Sequence, residues 1–175
     1  MSNFLNDNIS SSRRYSRQVL IDWINESECT HAVTLVFNQQ ISLKKAVKDL
    51  GGLFFRFDKE ILGKKAYKQA SRKRSLFFAF PEHIESNLHF HLALRLPGIA
   101  DLPKVWMKWD GISKLEKHWK NITKSRGNLV SQEISSNDWA HYLTKEIKLN
   151  ANLFHDIDFF LSTDFHNNDT IRLPE

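Results

Sequence analysis

The chain has 175 residues, a formal net charge of +5 and a pI near 9.3, with 41% apolar and 26% charged residues. That length suits one domain with a proper core, and the composition is that of an ordinary globular protein. No apolar run is long enough to span a bilayer, the N-terminus "MSNFLNDNISSSRRYSR" has no apolar signal region, and the single Cys29 allows no internal disulfide. These features predict a cytoplasmic protein with no membrane partner. The basic balance favours acidic partners, nucleic acid first.

Residues 1 to 12 are polar and rich in Ser and Asn and read as a disordered tail. The domain is expected over residues 13 to 150, with 151 to 175 as a C-terminal extension. In "RRYSRQVLIDWINE", residues 13 to 26, Leu20, Trp23 and Ile24 recur at helical spacing. "HAVTLVFN" alternates, with Val33, Leu35 and Phe37 on one side and Ala32, Thr34 and Val36 on the other, which predicts a strand. "SLKKAVKDLGG" reads as a short helix capped by Ser42 and ended by Gly51 and Gly52. A second, basic helix is expected from Asp58, interrupted by Gly63. Its end, "KKAYKQASRKR", holds six Lys or Arg in eleven residues. Such a run is either a solvated face or a phosphate-binding one. Arg72, Lys73 and Arg74 are its candidate DNA contacts.

"SLFFAF" predicts a strand over residues 75 to 80, ended by Pro81, and "EHIESN" a turn into the strand of residues 88 to 96. Ile112, Leu115, Trp119 and Ile122 predict a helix, and "LVSQEI" a strand. "SSNDWAHYLTKEIK" predicts a helix capped by Ser136 or Asn137, with a core stripe of Trp139, Leu143 and Ile147. This order predicts an α+β fold, an antiparallel sheet with helices packed on one face.

The stretch "NLHFHLALRLPG", residues 87 to 98, carries the chemistry. Strand side chains alternate, so Leu88, Phe90, Leu92, Leu94 and Leu96 share a core face. His89, His91, Ala93 and Arg95 share the other. Two imidazoles at i and i+2 can hold one divalent cation if a third ligand joins them. Glu82 is the expected third ligand, because an antiparallel hairpin returns it toward His89; Glu85 and His83 are alternatives. On the later helix Tyr142 and Lys145 lie three apart and share a face. A phenol is a weak nucleophile at neutral pH, and a metal on the target phosphate and a nearby ammonium would both assist it.

"LHFHLAL", "WAHYLTKEI" and, more loosely, "HAVTLVF" together resemble the HUH endonucleases, and among them the single-tyrosine nuclease domain of rolling-circle replication initiators. The resemblance spans residues 31 to 147. It implies a sheet of about five antiparallel strands and a Mg²⁺ or Mn²⁺ ion on His89, His91 and a third polar residue. It also implies nicking and joining of single-stranded DNA at an origin or hairpin, with Tyr142 as nucleophile and Lys145 as its helper. Thr34 and Arg95 are the further candidate DNA contacts. With no helicase region following, a host helicase would be a partner, and a monomer is expected. A single-tyrosine transposase or mobilisation protein fits the same chemistry, and a non-catalytic basic nucleic-acid-binding domain is the rival from another class. A two-histidine phosphoesterase is excluded, since no pair of His-x-Ser or His-x-Thr motifs is present.

Overall fold

The computed structural model describes residues 17–70, 73–97, 110–145 and 159–166. Strands β1 (His31–Val36), β2 (Leu76–Glu82), β3 (His89–Arg95), β4 (Asn128–Glu133) and β5 (Phe160–Leu161) form one sheet in the order β4-β1-β3-β2-β5. Every pairing is antiparallel. The fold is therefore α+β, as expected. The short β5 comes from the segment set apart as a C-terminal extension, so that segment completes the sheet.

Strand alternation sorts the side chains onto two faces. Val33, Leu35 and Phe37 join Phe90, Leu92 and Leu94 in the main core, under helices α2 (Leu43–Leu62) and α3 (Gly111–Ile122). Phe57, Phe77, Phe90 and Trp119 are fully enclosed there, and burying each such ring stabilises the fold by roughly 1.5–3 kcal/mol. The expectation of helices on one face holds for these two long helices. The other face also carries helices. Leu20, Ile21 and Ile24 of α1 (Arg17–Glu26) and Ala140 and Leu143 of α4 (Asp138–Leu143) pack on Phe78, Phe80 and Ala93.

Three local expectations are corrected. Gly51 and Gly52 do not end a helix; α2 runs through them for 20 residues from its Ser42 cap. A Cβ at Gly51 would stand 2.5 Å from the Phe165 ring, so the glycine makes room for a side chain packed on the helix. The helix stops instead at Gly63, whose φ of 83° only glycine adopts without strain. Among its described residues the basic run after it holds a 3₁₀ turn, Ala66–Lys68, and no second α-helix. Pro81 does not end β2, which continues to Glu82 with Pro81 opposite Phe90. Proline is tolerated where no ladder N–H is needed, and among the described residues β5 pairs only with Phe78 and Ala79.

Candidate active site

Register places the polar residues of the second face side by side. Thr34 in β1 lies opposite His91 in β3, and Glu82 at the end of β2 lies opposite His89. Glu82 is buried, and its Oε2 stands 3.5 Å from His91 Nε2 and 3.8 Å from His89 Nε2. The three expected ligands therefore converge. His83 joins Glu82 and His89, because the ligand atoms of these three all lie within 4.8 Å of one another, while His91 meets the group through Glu82.

Each strand imidazole is oriented from behind. His89 Nδ1 donates to the Asn87 carbonyl at 2.8 Å. A carbonyl only accepts, so in the neutral ring the Nε2 lone pair faces Glu82. His91 Nδ1 is hydrogen-bonded with the Thr34 hydroxyl at 2.9 Å. The hydroxyl of Thr34, an expected DNA contact, is engaged with His91. Burial pulls the His91 pKa below the ordinary histidine value; Glu82 opposes this, while His89, Lys145 and His83 add to it. The ring thus favours the neutral form that binds metal.

Helix α4 brings the phenol to this cluster. Trp139 Nε1 donates to the Leu92 carbonyl at 3.1 Å and pins the helix to β3. The Tyr142 ring stacks on Trp139, with centroids 5.0 Å apart and planes at 13°, and meets His91 edge-on at 5.3 Å. Its hydroxyl lies 3.5 Å from His91 Nε2, at the outer limit of hydrogen bonding. Lys145 Nζ sits 3.8 Å from the centre of the Tyr142 ring and 3.2 Å from Glu82 Oε1. Its partial desolvation lowers the lysine pKa, but hydrogen bonding to Tyr142 and Glu82 outweighs this and holds it above the ordinary value. Trp139 is therefore a platform for the tyrosine as well as part of the packing. Helix α4 is only six residues long, and Ile147 of the expected core stripe lies outside the described residues.

The expected DNA contacts are dispersed. Arg95 shares the face but sits at the far end of β3, with Nη1 3.5 Å from the Ser27 carbonyl and 3.7 Å from Glu28 Oε2. Arg74 is buried and donates from Nε to Asp58 Oδ2 at 3.0 Å, so it is not a surface cation available to phosphate. Lys73 is half-buried, and Arg72 lies outside the described residues.

Sequence reasoning missed the roles of Trp139 and Asp58 and left His83 as an alternative. A Trp three residues before a Tyr on a helix is the local signal for the stack. No family model matches the chain, and neither does any curated protein or solved structure.

Proposed function

We propose that this protein is a metal-dependent endonuclease that nicks and rejoins single-stranded DNA through Tyr142, as an initiator of rolling-circle replication does. One observation carries the reading: a half-exposed phenol, an ammonium group, two oriented imidazoles and a buried carboxylate meet on one sheet face. The resemblance of the sequence motifs to HUH endonucleases points the same way.

The donor set fits a divalent cation. Glu82 is a buried carboxylate whose partners stand at the long end of the range, Lys145 at 3.2 Å and the imidazoles of His91 and His89 at 3.5 and 3.8 Å. Glu82, His89 and His91 would hold the ion, and Mg²⁺ or Mn²⁺ would supply Lewis-acid polarisation of the scissile phosphate. Tyr142 Oη attacks the phosphorus, its bond to the phenol oxygen forms, and the bond to the 3′ oxygen breaks. The phenol proton passes to solvent, and the departing 3′ oxygen takes one up. The products are a 5′-phosphotyrosine and a free 3′ hydroxyl. The new ester conserves the energy of the broken bond, so a 3′ hydroxyl can reverse the step and join strands. Lys145 places a positive charge where negative charge develops on the phosphate. The net charge of +5 favours binding of the DNA backbone.

The test is a denaturing gel of the protein incubated with Mn²⁺ and a pool of random single-stranded DNA. The expected result is a shifted band that survives boiling, requires metal, and is abolished in Tyr142→Phe. The substitution removes only the hydroxyl and keeps the ring that stacks on Trp139. An adduct that persists in the variant identifies another nucleophile. DNA binding with no covalent band on any strand in the pool points to a passive nucleic-acid-binding domain.

A further inference from the structure

The turn after β2 supplies an imidazole that strand geometry would have directed away. Glu82 is the last residue of β2, and simple alternation sends residue 83 to the opposite face. His83 has instead a φ of 51°, a left-handed conformation uncommon for a side-chain-bearing residue. Its ring lies against His89, with centroids 5.3 Å apart and planes inclined by 28°. Its ligand nitrogen falls within 4.8 Å of the ligand atoms of both Glu82 and His89.

We infer that His83 is a metal ligand, so that the site offers three imidazoles and one carboxylate and selects a first-row transition ion over Mg²⁺. The inference rests on the reading of Glu82, His89 and His91 as a metal site and is independent of the nicking step. Mg²⁺ prefers oxygen donors, keeps several waters and demands near-octahedral geometry. Imidazole nitrogen suits Mn²⁺ poorly to moderately, and Co²⁺ and Zn²⁺ well, in the usual order of divalent affinities. A set in which nitrogen outnumbers oxygen three to one therefore discriminates against Mg²⁺. Two features prepare it. The hydrogen bond from His89 Nδ1 to Asn87 leaves Nε2 free as an electron-pair donor, and His83 is exposed to solvent.

The experiment is calorimetric titration of the full chain with MgCl₂, MnCl₂, CoCl₂ and ZnCl₂, in wild type, His83→Ala and His83→Gly. Glycine accepts the positive φ, so the second variant loses the imidazole without straining the turn. Ile84→Ala, in the same exposed turn, serves as a control. Wild type should bind Co²⁺ and Zn²⁺ at least about tenfold more tightly than Mg²⁺. Both His83 variants should weaken Co²⁺ and Zn²⁺ by about tenfold or more, since even residues behind a ligand contribute on that scale. Co²⁺ absorption should also change in the variants, reporting the lost nitrogen. Unchanged affinity in both variants, equal affinity for Mg²⁺, or no binding by wild type overturns the inference. The covalent-adduct gel separates the two readings. An adduct formed with metal affinity unmoved by His83 leaves nicking intact, whereas His83-dependent binding without any adduct leaves the metal site alone.

Discussion

Asp58 in α2 and Glu82 in β2 are the two buried carboxylates among the described residues, and they are held in opposite ways. Asp58 is saturated. It accepts from Arg74 Nε at 3.0 Å, from the Ser75 amide at 3.1 Å and from the Ser75 hydroxyl at 2.6 Å. Burial pushes its carboxyl pKa up, and the hydrogen bonds from Ser75 and Arg74 work against that. Glu82 has neighbours on every side, yet its contacts lie between 3.2 and 3.8 Å, and its cation Lys145 is one-third exposed. A carboxylate with close, well-directed donors anchors structure; one ringed by loose donors and imidazoles keeps capacity for a ligand.

The largest effect lies on the saturated side. Arg74→Met should cost about 3–5 kcal/mol, because it leaves Asp58 buried beside no countercharge. Urea unfolding measures it, and the double variant Asp58→Asn/Arg74→Met should recover most of the loss. A cost in Arg74→Met below about 1 kcal/mol would put the pair in the class of surface ion pairs and erase the contrast with Glu82.

That pair was illegible in the sequence. Arg74 belongs to a run of six cations, and nothing in the run marks which one turns inward. Its partner lies 16 residues earlier, across the end of α2 and the 3₁₀ turn. Gly51 was misread for a similar reason. A Gly pair signals a helix stop unless something packs on it, and Phe165 comes from the far end of the chain. The Glu82 side was far more legible. Period-2 alternation put His89 and His91 on one face, and hairpin return put Glu82 opposite His89. Alternation could not yield His83, whose positive φ breaks the pattern at the strand end.

A smaller effect probes the same saturated region by pH. Burial pulls the His166 pKa from about 6.5 to about 4, with Arg74 adding repulsion. The folded state thus resists protonation while the unfolded state accepts it near pH 6.5. The stability from keeping this ring neutral is present above pH 6.5 and is lost as pH falls toward 4. The ring is partly exposed, so solvent screening limits the loss to roughly 1 kcal/mol. Unfolding midpoints at pH 7 and pH 5 should differ less in His166→Gln than in wild type. Identical pH dependence would remove His166 from the electrostatics around Asp58 and Arg74.

The smallest stability effect belongs to Glu82, and its size decides whether the comparison is correct. Glu82→Gln preserves shape and removes the charge. A fully formed buried pair would lose several kcal/mol here, as Arg74→Met should. Glu82 instead faces a one-third-exposed lysine at 3.2 Å and imidazoles at 3.5 and 3.8 Å, so the change in urea unfolding should stay below about 1 kcal/mol. Removing a buried negative charge also relieves its desolvation, which offsets part of any loss. The same variant should bind Mn²⁺ or Zn²⁺ far more weakly in calorimetry, because the carboxylate is the site's only anionic donor among the described residues. Stability kept with metal affinity lost marks a carboxylate reserved for a ligand. Stability lost together with affinity would make Glu82 a second Asp58, with the histidines around it serving the fold.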